Sequence, residues 1–187
     1  MCRSVPFPLF IGETRKPEYL KINPNGHIPA LDDNGFLVWE SMAINLYLAE
    51  KYGKSPFWPS TVEGHAGSYQ WSFWGMTEIE KHLIAIQLNK MVLPPEQRAD
   101  KAIKEATEGL KAPLTVLDNH LHLKTCEYLL GTDFTIADLN VASVLMVGVY
   151  IMRQFDLQFD LSGTPTVEKW FKKCTDREAA QRVRGKK

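Results

Sequence analysis

Cysteine is scarce in this chain. Cys2, Cys126 and Cys174 are the only three in 187 residues, too few and too scattered for a disulfide framework or a C-x-x-C site. Free thiols in a reducing compartment are expected, with Cys126 and Cys174 buried or half-buried. Net charge is absent as well. The 22 basic and 22 acidic side chains cancel, so the chain lacks the basic footprint of a nucleic-acid or anionic-membrane partner. The basic run at residues 182–187 reads as a solvated tail. No long hydrophobic run is present either. Residues 141–152 form the longest, with Ser143 and Gly148 inside it, short of the ~20 residues that span a bilayer. The first residues lack the basic stretch and unbroken apolar core of a signal peptide. His65, His82, His120 and His122 show no metal-ligand spacing with carboxylates, and His120 and His122 would fall on different helix faces. No metal is expected, and there is no internal repeat or low-complexity stretch. These shortages describe a cytoplasmic globular protein, with 44% apolar and 24% charged residues in the ordinary range. Its length suffices for one full core or two small domains.

Residues 5–10 are apolar but carry Pro6 and Pro8, so they read as an edge strand or an extended arm. Pro17 heads a single helical turn over 17–20. Residues 23–26 are a turn cluster. A weakly alternating strand is expected over 27–31, a hairpin turn at Asp33-Asn34-Gly35, and a returning strand over 36–39. Residues 41–52 predict a helix with Met42, Ala43, Leu46, Ala49 and Tyr52 on one face and Gly53 as its stop. Residues 54–60, with Pro56 and Pro59, mark a domain boundary. There Phe57 and Trp58 are expected to form a rigid joint locking the two domains together.

The rest predicts helices. One runs over 62–91 and is broken by Pro94-Pro95. A second carries Ile103, Ala106, Leu110, Leu114, Leu117 and Leu121, with Pro113 expected to kink it. Residues 128–131 form a short apolar loop. Thr135 and Asp138 make a capping box, with Phe134 and Leu139 placed for a hydrophobic staple. They open a helix to about residue 152 that is apolar nearly all round, and so central in its domain. A last helix is expected over 166–182.

Several residues are candidates for chemistry, each with a plainer alternative. A proline in a strand sacrifices a ladder bond. At Ile28-Pro29 that fits either an ordinary edge strand or a cis bond presenting the Ile28 backbone to an extended peptide. Glu40-Ser41 opens a helix, where free N–H groups favour an anion. A serine hydroxyl donating to a carboxylate and a glutamate accepting from an ammonium group suit an α-amino-acid end. The pair also fits a plain cap. His27 is either an exposed polar residue or a cation for a second ligand carboxylate. Trp71, Trp74 and Met76 line either an apolar pocket or the core.

These motifs together resemble the soluble glutathione transferase superfamily. The carrying residues are 17–31, with Asn23-Pro24-Asn25-Gly26-His27-Ile28-Pro29 at their centre. They continue with Trp39-Glu40-Ser41-Met42-Ala43-Ile44 and residues 47–52. In the helical part they are Tyr128-Leu129-Leu130-Gly131 and Phe134-Thr135-Ile136-Ala137-Asp138-Leu139-Asn140. The resemblance covers nearly the whole chain from about Val5 and is nearest to the bacterial and theta-like branches. It implies an α+β thioredoxin-like N-terminal domain with a mixed sheet (1–53), a linker (54–60) and an all-helical domain (61–187), as a homodimer. By the same resemblance Ile28 offers its backbone to the cysteinyl part of glutathione, with Pro29 cis. Glu40 and Ser41 hold the γ-glutamyl end, and His27 lies near the glycyl carboxylate. The helix from Val62, with Trp71, Trp74 and Met76, faces a small apolar electrophile. Thr135 and Asp138 form the family's structural cap.

The resemblance also implies a departure. The family opens with a strand, a loop bearing Tyr, Ser or Cys, and a helix, and that hydroxyl or thiol stabilises the glutathione thiolate. Here residues 5–9 align with the second strand, so the first strand and helix are expected to be missing. In the family that strand lies mid-sheet, and its loss leaves backbone unpaired. Three remedies remain open: a longer natural chain, an arm sliding into the vacancy, or closure by another chain. Cys2 and Ser4 are the candidate replacements as sulfur donor. The leading expectation is an enzyme of detoxification, conjugating glutathione to electrophiles with activity impaired by that departure. The alternatives are a non-catalytic binder of glutathione or apolar ligands and a docking module.

Overall fold

The computed structural model describes residues 12–123, 126–157 and 159–185. The arm expected over 5–10 lies outside them, as do Cys2 and Ser4. The chain divides into two compact units, Met1–Gly53 and Lys54–Lys187.

In the first unit a 3-10 turn, Glu13–Arg15, precedes the one-turn helix α1 (Pro17–Leu20). Strands β1 (Ala30–Asp33) and β2 (Phe36–Trp39) pair antiparallel, with Ala30 opposite Trp39 and Asp33 opposite Phe36. That register leaves a two-residue turn, Asn34-Gly35, with φ of 56° and 90°, the left-handed pair that suits the twist of a tight hairpin. Two expectations are corrected. The strand starts at Ala30 rather than 27, because Pro29 has no N–H to give a ladder. Asp33 is the last strand residue rather than part of the turn. Among the described residues the sheet is this antiparallel pair, so the expected mixed sheet rests on the arm that is not described.

Helix α2 (Ser41–Tyr52) ends at Gly53, whose N–H donates to the Ala49 carbonyl at 2.8 Å. It buries Met42, Ile44 and Ala49. Ala43 and Tyr52, expected on that face, are exposed. The tyrosine hydroxyl is drawn to Asp33 instead, as described below.

The second unit is helical. Thr61 accepts from the Gly64 N–H at 3.1 Å and opens a continuous rod: α3 (Val62–Trp74), a π segment Gly75–Glu80, α4 (Lys81–Gln87) and a π segment Leu88–Val92. Pro94 and Pro95 end it. The expected kinked helix is two helices, α5 (Asp100–Gly109) and α6 (Lys111–Leu123). Pro113 has no N–H for the carbonyl one turn back, at Gly109, and the break falls there. Helix α7 (Ile136–Gln154) is the core helix expected, and its Val141 and Leu145 are fully buried. It runs 19 residues and is long and apolar enough to cross a membrane, further than the sequence run indicated, but most of it is buried inside the unit. The last expected helix is also two, α8 (Pro165–Thr175) and α9 (Glu178–Gly185).

Helix α3 packs along α7, α4 along α5 and α6 along α8. Each fully buried aliphatic side chain at these seams contributes about 1.5–3 kcal/mol. Polar groups inside are paired. Asn140 donates to Ser72 Oγ at 2.8 Å, and Ser72 donates to the Ser68 carbonyl at 2.6 Å. Asp118 of α6 accepts from the first amides of α8, Thr166 and Val167, at 2.8 and 3.0 Å. Asp138 is fully buried. Its Oδ2 accepts from the Thr135 N–H and hydroxyl, both at 2.9 Å, and its Oδ1 from the Leu129 N–H at 2.8 Å and Trp170 Nε1 at 2.9 Å. Phe57 stacks on Phe134 at 6.2 Å, and Trp58 lies 4.5 Å from the His65 ring. Both rings expected to join the domains thus pack on the helical unit.

Candidate functional site

The hairpin assembles the first unit's candidate residues. Since Ala30 pairs with Trp39, the next positions outward, Pro29 and Ile28 on one side and Glu40 and Ser41 on the other, leave the same end of the ladder. The Ile28-Pro29 peptide is cis. Ile28 is exposed, and its N–H and carbonyl have no partner among the described residues.

Glu40 is the N-cap of α2 and has φ 74° and ψ 122°, a conformation that costs a non-glycine residue about 1–3 kcal/mol and recurs at functional sites. Its carbonyl accepts from Ile44 N–H at 2.9 Å, while its side chain makes no cap hydrogen bond. The first-turn amides of α2 therefore carry no side-chain cap, and no acidic residue stands among them. Such a helix start, with the half-buried Ser41 hydroxyl beside it, is chemically matched to a carboxylate. The exposed Glu40 carboxylate is matched to an ammonium group. His27 is also exposed.

The loop bearing Ile28 is held from below. Tyr19 Oη and Asn23 Nδ2 both donate to the His27 carbonyl, at 2.6 and 2.8 Å. Asn23 Oδ1 accepts from the Asn25 N–H at 3.0 Å, and Arg15 donates to the Asn25 carbonyl at 2.9 Å. Gly26 has φ 62°, and a Cβ there would lie 2.8 Å from the Thr14 carbonyl oxygen, so the turn requires glycine.

A second cluster ties α2 to the hairpin. Asp33 Oδ2 accepts from Lys51 Nζ at 2.7 Å and from the Tyr47 and Tyr52 hydroxyls at 2.8 Å each. The Lys51 hydrogen bond, then those from Tyr52 and Tyr47, lower the Asp33 pKa to about 2. Its hydrogen bond to Asp33, then those it makes with Tyr47 and Tyr52, raise the pKa of Lys51. Neither Tyr19 and Asn23 nor this cluster was recognised from sequence. The available signal was Tyr47 and Lys51 at i, i+4 opposite an acid at a strand end.

In the helical unit Trp71 is buried, edge-on to Trp74 at 5.0 Å and 4.6 Å from the His120 ring. Trp74 and Met76 are half-buried, and Met76 lies in the first π segment. The structure thus brings Trp71 and Trp74 together. A cavity of about 1110 Å³ opens elsewhere in this unit, between the outer face of α7 and α8, where Val147, Tyr150, Arg153 and Phe171 line it. Among the described residues no cluster of three or more His, Cys, Asp or Glu is arranged to hold a metal ion.

Residues 5–50 match the family model described as "Glutathione S-transferase, N-terminal domain", and residues 81–178 match "Glutathione S-transferase, C-terminal domain". The chain belongs to the soluble glutathione transferase superfamily, with a thioredoxin-like N-terminal domain holding a small antiparallel sheet and a helical C-terminal domain. It is 26% identical over 174 residues to glutathione S-transferase GstB of Escherichia coli K12, covering 92% of this chain and 80% of that protein, in loose agreement with the expected bacterial branch. The crystal structure of the glutathione transferase URE2P6 from Phanerochaete chrysosporium, in complex with oxidized glutathione, superposes with a TM-score of 0.82 at 30% identity, covering 97% of this chain and 82% of that one. Ure2p5 from the same organism, cocrystallized with 1-(S-glutathionyl)-2,4-dinitrobenzene, gives a TM-score of 0.78 at 29% identity and coverage of 88% and 76%.

Proposed function

We propose that this glutathione transferase-like chain binds glutathione along the open end of its hairpin and transfers it to apolar electrophiles. The Ile28 backbone pairs with the cysteinyl residue, the Ser41 hydroxyl and the α2 N-terminus take the γ-glutamyl carboxylate, and Glu40 takes the ammonium group. His27 lies toward the glycyl carboxylate. The carrying observation is the register that sets Ile28-Pro29 beside Glu40-Ser41. In the reaction the glutathione thiol loses its proton to solvent water, and the thiolate forms a C–S bond with an electrophilic carbon. The leaving group, a halide for an aryl halide, departs with the bonding pair. Trp71, Trp74 and Met76 stand for the electrophile side in the helical unit, residues 61–187, with 54–60 as the joint. Cys2 and Ser4 are the candidates for favouring the thiolate.

The reading extends to a cytoplasmic homodimer active in detoxification. An exposed apolar row along the rod, including Val62, Tyr69, Phe73, Ile84 and Leu88, supports self-association. The test has two parts. The chain should be retained on immobilised glutathione, and Ser41→Ala should weaken retention about tenfold, as loss of a hydrogen bond to a charged group does. Turnover of a reactive aryl halide should accompany binding. Unchanged retention in Ser41→Ala counts against the site, and retention without turnover leaves a binding protein. The α7–α8 cavity, with its aromatic lining, favours that second reading, a non-catalytic holder of glutathione and apolar ligands.

A further inference from the structure

We propose that Tyr19 and Asn23 are positioning residues that aim the Ile28 N–H at the ligand, an inference that rests on the glutathione reading of this site. The His27 carbonyl and the Ile28 N–H belong to one planar peptide unit and point in opposite directions across it. Whatever fixes the carbonyl oxygen fixes the direction of the N–H. Here two donors grip that oxygen, Tyr19 Oη at 2.6 Å and Asn23 Nδ2 at 2.8 Å, and so fill both of its lone pairs.

Both donors are themselves buried. Tyr19 is 5% exposed and Asn23 1% exposed, and the other end of the Asn23 amide is occupied by the Asn25 N–H. The peptide plane is thus held from the buried side while Ile28 stays exposed on the other. Its N–H has no acceptor among the described residues and stands ready for a ligand carbonyl. A donor fixed before binding spends no further conformational entropy when the ligand arrives. The grip acts on the cysteinyl contact alone. The γ-glutamyl end is assigned to Glu40 and Ser41, which follow the other strand of the hairpin.

Tyr19→Phe removes the hydroxyl and keeps the ring in its buried place. The full-length wild type and variant are titrated by NMR with two probes. S-methylglutathione carries the cysteinyl carbonyl and needs no thiol activation. γ-Glutamylmethylamide carries only the γ-glutamyl end. The variant should bind S-methylglutathione about fivefold more weakly, the effect of one neutral hydrogen bond, and γ-glutamylmethylamide as the wild type does. Equal weakening for both probes means a general structural role and overturns the inference, as does unchanged affinity for S-methylglutathione. A wild type that binds neither probe overturns the site reading and this inference with it.

Discussion

In each unit an aspartate draws three or more hydrogen-bond donors, Asp33 in the first and Asp138 in the helical one, and the two carboxylates are shifted in opposite directions. In the first unit Asp33 takes three donors from α2, one of them the Lys51 ammonium, and its pKa falls to about 2. In the helical unit Asp138 takes four donors, none charged, and burial raises its pKa in spite of them. A neighbouring cation stabilises the ionised form, whereas removal from water opposes it. The difference follows what each unit can bury. Among the described residues the first unit's buried apolar side chains are Tyr19, Met42, Ile44 and Ala49, while the helical unit has a continuous core from Trp71 to Cys174. The small unit is pinned by a charged clamp near its surface. The large one has enough apolar surroundings to accommodate a buried acid, provided every donor around that acid is used.

The comparison can be broken most forcefully at Asp138. Asp138→Ala strands the Leu129 and Thr135 amides and the Trp170 indole in a dry interior, and stranded groups cost about 1–3 kcal/mol each. A net loss of about 3–5 kcal/mol is expected, read by urea unfolding followed through tryptophan fluorescence. A loss under about 1 kcal/mol would mean that water or a shift of α7 replaces the carboxylate.

Asp33→Asn should lower the melting temperature at pH 7 by less than Asp138→Ala does, and its pH dependence sharpens the contrast. The folded pKa of Asp33 lies below its ordinary 3.8. Its contribution is therefore complete above about pH 4 and is lost as pH falls through 2. The melting-temperature gap between wild type and Asp33→Asn should shrink over that window, and a gap independent of pH would refute the clamp. The smallest effect is expected for an exposed pair with no network. Lys101 and Glu105 approach to 3.7 Å with both side chains mostly in solvent, so Glu105→Gln should change stability by less than about 0.5 kcal/mol.

Much of the architecture was legible in the chain. Asn34-Gly35 announced its hairpin, Pro94-Pro95 its break, and Thr135 with Asp138 the start of the core helix, because each acts within a few residues. Ile28-Pro29 and Glu40-Ser41 were singled out on the same local grounds. The errors have a common origin. The α2 face was misjudged because Tyr52 turns outward to Asp33, a partner 19 positions back. The apolar positions from Ile103 to Leu121 predict one kinked helix because their spacing runs unbroken across Leu110, while a missing N–H at Pro113 acts on the turn before it. Tyr19 and Asn23 gave no sign of this grip, since their partner is a backbone carbonyl and any residue supplies one.

The sequence by itself determined the order of elements, the family and the residue types suited to an amino-acid end, since turns, caps and periodicity are set by steric limits within one or two turns of backbone. Only the tertiary structure decided that Ile28 leaves the ladder beside Ser41, that the His27 carbonyl is gripped twice, and that Asp138 reaches Trp170 across 32 positions. Those outcomes depend on which donors remain unsatisfied once water is excluded, and that is settled between segments rather than within them.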